Sequence, residues 1–343
     1  MEKASKRYGV GIIGAGWVSG EHIKAYIQNP HTTVMGIYSR NPVTAQNKLT
    51  ELNVDGKVYS SLDEMINDPD IDILSVCSPP DVHCSQVVQA ARAGKHLVIE
   101  KPLAMNFEDV KLMEKEILKA GVTSIVSFVL RWNPMFETTK NLLQDDTIGK
   151  VMYMECDYWH WIGPHYKQYE WAKTKSAGGD SLLSAGCHAV DALRWFGGEV
   201  KEVFGYSASG LEGSDYEFDP NLVAVLQFES GAIGKVSSML ECKTPYIFNL
   251  QILGQKGTIL NNKVYSHKYP GQSGYLEYPT ILPDSGDVTH HPFVNEIDHF
   301  IDCLINGTQP ITNITDAAKT MEVCFAVNQS VATGKPVRLP LEV

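Results

Sequence analysis

The sequence is short of the features that mark several functional classes. Against 40 Asp and Glu it has only 29 Lys and Arg, a formal net charge of -11. It therefore offers no basic face to a polyanion, and neither nucleic acid nor an anionic membrane is an expected partner. Its seven cysteines, at 77, 84, 156, 187, 242, 303 and 324, include no C-x-x-C pair, which argues against a zinc or redox dithiol site and leaves reduced thiols as the expectation. No apolar run is long enough to cross a bilayer, and residues 1–7 lack the apolar core of a secretory signal, so a cytoplasmic location is expected. Internal repeats and low-complexity tracts are also missing. What is present is an ordinary globular composition, 43% hydrophobic over 343 residues, enough for about two domains.

The most informative local pattern opens the chain. Residues 9–13 form a short apolar run that breaks into Gly14-Ala15-Gly16-Trp17-Val18-Ser19, where a helix is expected to begin. Gly14 permits a tight turn and Gly16 leaves room for backbone amides to approach a pyrophosphate at the helix N-terminus, with Trp17 and Val18 in the first turn. Ser19 stands where a third glycine is common and is small enough for close helix packing. A helix over 21–28 and an apolar run over 34–38 complete a βαβ unit of dinucleotide-binding size. At the end of that second strand, where a carboxylate usually meets a ribose 2′-hydroxyl, the chain has Ser39 and Arg40. A guanidinium beside a hydroxyl suits a 2′-phosphate, whereas the same arginine can stack on adenine above an NAD ribose. The expected cofactor is NADP or NAD, with the physical lean toward NADP.

Strand and helix patterns alternate to residue 127, with strands over 71–77, 96–99 and 123–130 and helices over 82–93 and 107–120, which implies a doubly wound parallel sheet of Rossmann type. Beyond residue 148 the pattern changes to long strands over 151–161, 200–209, 222–228, 232–240, 247–253 and 257–260. One helix is expected over 186–196, and helical stretches over 292–305 and 315–333 close the chain. The fold expected is α/β: an NAD(P)-binding domain over 1–127, then an α+β domain over 128–343 with a large, mostly antiparallel open sheet for substrate binding and oligomerisation.

The strand over 96–99 ends in Glu100-Lys101-Pro102, and in doubly wound sheets ligands gather beyond the carboxyl ends of the strands. A lysine there can hydrogen-bond a substrate hydroxyl, orient its carbon and stabilise the oxyanion that develops as a proton leaves. His188 falls at the start of the helix expected over 187–196, where the helix dipole favours the neutral ring, a suitable general base. A capping or core histidine bonded to Asp191 is the alternative reading. Taken in order, Gly14-x-Gly16, Ser78-Pro79-Pro80-x-x-His83, Gly94-Lys95-His96-x-x-x-Glu100-Lys101-Pro102, Arg131-x-Asn133-Pro134, and Gly178-Gly179 leading to Gly186-Cys187-His188-Ala189-Val190-Asp191 resemble the Gfo/Idh/MocA family of glucose-fructose oxidoreductases and inositol dehydrogenases. The similarity spans nearly the whole chain. It implies a nicotinamide cofactor, commonly held tightly, and hydride transfer at a carbinol or ketone carbon of a sugar, glycoside or cyclitol. It further implies a homo-oligomer, dimer or tetramer, built on the second sheet. By the same resemblance Lys101 and His188 are catalytic, and Ser78, Pro79, His83, Glu100 and Arg131 join Lys101 among the cofactor contacts. The acidic balance of the chain favours a small neutral carbohydrate or polyol over a phosphorylated substrate.

One departure bears on mechanism. Where many dehydrogenases of this family have Asp-x-Gly-x-His, this chain has Ser184-Ala185-Gly186-Cys187-His188, and a serine cannot raise the basicity of the histidine as a carboxylate would. Either His188 works with Lys101 alone, or Asp180 or Asp157 substitutes, or the chain has kept its cofactor fold without the chemistry. Ser184 is expected among the substrate contacts, as are Asp157, His160, His165 and Tyr166 from the aromatic segment 157–171, whose flat faces and polar tips suit a sugar ring. The alternative is two ordinary sheet faces or a dimer interface. His290 and His291 are expected at a site rim, Glu296 and Asp298 on a solvated helix face, and no metal is expected. Two rival functions share the cofactor residues: a glycosidase acting by transient oxidation and elimination, with Tyr166 or Tyr169 as base, and a cofactor-sensing binding protein without catalysis.

Overall fold

The computed structural model of the protein describes residues 7–166, 168–283 and 291–342. They divide into two compact units, one taking the described residues up to Ser127 together with Phe293–Ala318, the other those of Phe128–Pro292 and Lys319–Val343. The return of Phe293–Ala318 to the first unit is not anticipated by a single boundary after residue 127.

The first unit runs β1 (Tyr8–Ile13), α1 (Trp17–Gln28), β2 (Thr32–Tyr38), α2 (Pro42–Glu51), β3 (Lys57–Tyr59), α3 (Leu62–Ile66), β4 (Ile73–Val76), α4 (His83–Arg92), β5 (His96–Ile99), α5 (Phe107–Ala120) and β6 (Ser124–Val126). The six strands form one parallel sheet in the order β3-β2-β1-β4-β5-β6. Its direction of winding reverses between β1 and β4, the crevice where such sheets bind ligands. β1 and β4 are buried along their whole length, as strands covered on both faces must be. Local chemistry sets the helix starts: Asn41, Ser61 and Asn106 each accept a backbone N–H from the first turn they cap. The strand expected over 123–130 stops at Val126, because the chain turns there into a 3-10 turn, Val129–Trp132.

The second unit contains α6 (Pro134–Gln144), β7 (Val151–Trp159), α7 (Tyr169–Ala172), α8 (Cys187–Gly197), β8 (Val200–Ala208), β9 (Asn221–Phe228), β10 (Ile233–Met239), β11 (Ile247–Gly254), β12 (Gly257–Leu260), β13 (Lys263–Ser266) and β14 (Leu276–Glu277). Two helices follow, α9 (Phe293–Asn306), which belongs to the first unit, and α10 (Ile314–Thr333), before the short β15 (Val337–Arg338). Its nine-stranded sheet, β14-β13-β12-β11-β7-β10-β9-β8-β15, is mixed: β7 and β10 pair parallel, and the other neighbours pair antiparallel. Along β7 the residues Met154, Cys156 and Tyr158 face α8, and Gly197 lies so close that an added Cβ would meet the Met154 methyl at 2.0 Å. Among the described residues no helix is long and apolar enough to cross a membrane, and none of the seven cysteines forms a disulfide.

Arg131 takes a part different from the cofactor contact expected of it. Its Nε and NH2 donate to Asp191 Oδ2 and Oδ1 at 2.8 and 2.6 Å, and both side chains are almost wholly buried. Thr320 Oγ1 donates to the same Asp191 Oδ1 at 2.9 Å and accepts from Arg194 NH1 at 2.8 Å. This forked pair fastens α8 to the turn over Val129–Trp132 and to α10 within one unit. It also engages Asp191, the partner that the core-histidine reading had reserved for His188. Replacing Arg131 by Ala leaves the Asp191 carboxylate buried and unpaired, so chemical denaturation should show a loss of about 3–5 kcal/mol.

Candidate active site

In the first unit the turn after β1 carries the geometry a pyrophosphate needs. Gly14 has φ of 102°, and a Cβ there would meet the Cys77 carbonyl oxygen at 2.7 Å, so only glycine allows the β1 and β4 turns to touch. A Cβ on Gly16 would meet nothing within 4 Å, which leaves open space beside the first turn of α1. That helix has no side-chain cap and no acid in its first turn, so its leading amides stay available to an anion. Ser19 replaces the usual glycine by turning inward: it is fully buried and its hydroxyl donates to the Gly16 carbonyl at 2.7 Å. Trp17 is exposed and Val18 half-buried. At the end of β2 Ser39 is half-buried and Arg40 exposed, with no acidic neighbour in the chain from Tyr38 to Pro42. These residues fit a nicotinamide dinucleotide.

Glu100, Lys101 and Pro102 follow β5, with a cis peptide between the last two. Glu100 and His83, both expected at the cofactor, are instead buried supports of this turn. Glu100 Oε2 accepts the Lys101 backbone N–H at 3.2 Å, and its Oε1 lies 2.8 Å from His22 Nε2. His22 also meets the Ser75 hydroxyl through Nδ1 at 2.8 Å. Burial alone would lower the pKa of His22, but the Cys77 sulfur and the Glu100 carboxylate outweigh it and hold the ring well above its ordinary value. Burial likewise works to raise Glu100, yet the hydrogen bond and charge of His22 hold it below the carboxylate range. Both directions favour the ion-paired form of the two side chains. The two ring nitrogens of His83 lie 3.0 and 2.8 Å from the Pro102 and Ser78 carbonyls, and burial lowers its pKa, which favours the neutral ring that donates to one of the two. Ser78 gives its hydroxyl proton to Gln86, and Ser78 and Pro79 are half-buried, as is Lys101.

In the second unit His188 follows a π-helical turn, Leu182–Gly186, that runs on into α8. The helical segment thus begins before His188, and the ring is not at a free N-terminus. The dipole argument for its neutrality lapses, because the frayed amides belong to residues 182 and 183. Asp180 caps those amides, its Oδ1 accepting at 2.8 and 3.0 Å, and its Oδ2 accepts from Asn328 at 2.6 Å. Burial pushes its pKa to about 6. Gly186 lets the π-turn rest on β10, where a Cβ would meet the Ser238 side chain at 2.7 Å. His188 itself is half-buried, edge-on to Phe128 with centroids 6.0 Å apart. Ser184 lies in the π-turn, also half-buried.

The aromatic segment divides between the two faces of the sheet. Tyr158 and His160 alternate onto the face that α8 covers, where the His160 ring lies 5.4 to 6.1 Å from Tyr158, Tyr166 and Tyr246. Asp157 points the other way. It accepts the Ser237 hydroxyl and pairs with Lys235 at 2.7 Å, so this carboxylate is turned away from His188 and does not stand in for the missing aspartate. His165 is exposed and tilted on Trp161, centroids 4.7 Å apart. His290 lies outside the described residues, and His291 is half-buried at the start of the segment before α9. Among the described residues no group of three or more His, Cys, Asp or Glu side chains is arranged for a metal ion.

Two residues of this region went unread in the sequence. His22 is one. The other is Glu296, expected on a solvated face but fully buried on α9 with the Ser127 hydroxyl as its polar neighbour. Burial, reinforced by the charge on Glu100 and opposed by that on His22, pushes its pKa from 4.5 to about 8.

A glycine-turned parallel sheet with a lysine beyond its fifth strand, followed by a mixed open sheet, defines a two-domain dinucleotide-dependent oxidoreductase. The family models agree: the "Oxidoreductase family, NAD-binding Rossmann fold" model matches residues 8–128, and the "GFO/IDH/MocA C-terminal domain" model matches residues 136–260. The chain belongs to the Gfo/Idh/MocA oxidoreductase family. Among its relatives, scyllo-inositol 2-dehydrogenase (NAD(+)) of Bacillus subtilis (strain 168) is 26% identical over 282 residues, 81% of each chain. Myo-inositol 2-dehydrogenase of Thermotoga maritima is 26% identical over 341 residues, 96% of this chain and 98% of that one. In fold the chain is similar to levoglucosan dehydrogenase in complex with NADH and levoglucosan, with a TM-score of 0.89 at 21% identity over 98% of this chain and 100% of that one.

Two outcomes follow for the first unit. Gly14→Val drives a branched side chain against the Cys77 carbonyl in a left-handed conformation, so NADH affinity measured by calorimetry should fall at least about tenfold. For Glu296 the folded pKa lies above the unfolded one, so native stability declines as pH rises from about 4.5 to about 8. Glu296→Gln should remove that decline, and its gain in Tm over the wild type should grow between pH 5 and pH 8, by several °C in order of magnitude.

Proposed function

We propose that this enzyme is an NAD(P)-dependent dehydrogenase of a small neutral polyol, a cyclitol or unphosphorylated sugar, exchanging a hydride with one of its ring carbinol carbons. The observation that carries the reading is the Glu100-Lys101-Pro102 turn, set beyond β5 in the cofactor unit and braced by two buried histidines. Preorganised donors at such a position are worth more than mobile ones. The relatives named for inositol and levoglucosan support the substrate class.

In this reading the ammonium of Lys101 donates to the substrate hydroxyl and stabilises the developing oxyanion, and His188 accepts the hydroxyl proton. The bound nicotinamide supplies the two-electron acceptor or donor. His160 and Tyr166, on the helix-covered face of the second sheet, are assigned to the ring of the substrate, with Ser184 as a hydroxyl contact. Both tyrosines that a transient-oxidation glycosidase could use as a base, Tyr166 and Tyr169, have their pKa raised by burial, which argues against that chemistry. Arg40 and Ser39 support NADP over NAD. The open sheet face bearing exposed Tyr206, Val223, Val225 and Ile233 supports a homo-oligomer.

A panel of inositols and monosaccharides, followed by absorbance of reduced cofactor, tests the reading. Turnover is expected with at least one polyol and with none of the phosphorylated sugars, and no turnover on any polyol despite intact NADH or NADPH binding counts against it. Lys101→Met and His188→Gln should each lower kcat about 10²–10⁴-fold, and the double variant should lose much less than the product of the two if they serve one proton transfer. Arg40→Ala should weaken NADPH binding more than NADH binding.

A further inference from the structure

The cluster beneath the Lys101 turn is unusual in being both ionisable and buried. His22 is fully buried and Glu100 nearly so, and each of the four polar atoms they present is engaged: Nδ1 with Ser75, Nε2 with Glu100 Oε1, and Glu100 Oε2 with the Lys101 backbone N–H. Phe293 packs on the His22 ring at 5.3 Å, and buried Glu296, one turn further along α9, adds a second carboxyl to the same cluster. A fold seeking only stability is served as well or better by apolar side chains at such positions. Nothing in the proposed hydride chemistry touches His22, yet its hydrogen bonds lead through Glu100 to the backbone of Lys101, the residue assigned to the reacting hydroxyl.

We propose that His22 is a positioning residue for Lys101: the imidazole fixes the Glu100 carboxylate, and Glu100 in turn fixes the main chain of Lys101, so that the amine is held at the angle the reaction needs. Ser75 sets the tilt of the ring from one side and Phe293 from the other. Glu296, held as the neutral acid, closes the cluster without adding a second negative charge beside Glu100. The inference rests on the assignment of Lys101 to the reacting hydroxyl.

The two ring nitrogens of His22 can be separated by substitution, because Asn reproduces the reach of Nδ1 and Gln that of Nε2. In the holoenzyme, with the polyol that gives turnover, His22→Asn should lower kcat at least tenfold while the NADH dissociation constant stays within twofold of wild type. His22→Gln, which can still donate to Glu100, should recover most of that loss. Equal kcat in the two variants overturns the proposal, as does a parallel loss of NADH binding, which marks general damage to the unit. If His22→Asn does not fold, the isosteric Glu100→Gln, which keeps shape and loses charge, is read by the same kcat and NADH criteria. A readout independent of turnover separates this inference from the functional reading: lysines are reductively methylated with ¹³C-formaldehyde, and the Lys101 resonance is identified by its loss in Lys101→Arg. The chemical shift and titration of that resonance should move in His22→Asn and return toward wild type in His22→Gln, even if no polyol is oxidised. An unmoved resonance overturns the positioning role, whereas a moved one with no polyol turnover overturns only the substrate reading.

Discussion

A charge pair kept out of water, His22 with Glu100, is the constraint on which the first unit depends. Removing an imidazolium and a carboxylate from solvent is costly, and their attraction compensates only when every remaining lone pair and proton has a partner. Here Ser75, Lys101 and Glu100 itself complete that set. The pair joins α1, which opens at the glycine turn, to the end of β5, which carries Lys101. The element whose opening turn fits a pyrophosphate and the element proposed to face the reacting carbon are therefore joined by a direct hydrogen-bonded bridge in addition to the sheet that carries both.

A comparable arrangement supports His188 in the second unit. The π-turn over Leu182–Gly186 places an extra residue in the helical repeat, and such turns often occur where a side chain must be aimed out of register. Asp180 satisfies the leading amides and Asp191 is held by Arg131, so the two acidic residues around His188 are both committed to the backbone or to an arginine.

Much of this was legible along the chain because it is local. The Gly14-x-Gly16 turn, the strand ending at Ile99 and the helix Phe107–Ala120 each follow from residues within a few positions of one another. The face of Asp157 was equally available: with Cys156 and Tyr158 turned toward the helix, period-two alternation sends Asp157 the other way. Glu296 could have been read as buried, since it shares a helical stripe with Phe293, Ile297 and Phe300, and His22 lies on the buried stripe of α1 with Ser19, Ile23 and Tyr26. The charge of Glu296 pointed instead to the surface, where most carboxylates lie. The parallel pairing of β7 with β10 and the extra residue of the π-turn leave no local mark, because each is decided by contacts between segments far apart in sequence.

The late segment that rejoins the first unit alters the order in which the protein can be completed during synthesis. Phe293 covers His22, Asn29 donates to Asp298, and Val126 on the sheet edge donates its N–H to Thr312. A nascent chain that has emerged only as far as Ser127 has its six parallel strands but lacks the helix that seals its ion pair and the residues that occupy its last edge. The amino-terminal unit, first to leave the ribosome, is thus the unit that waits longest for its final parts.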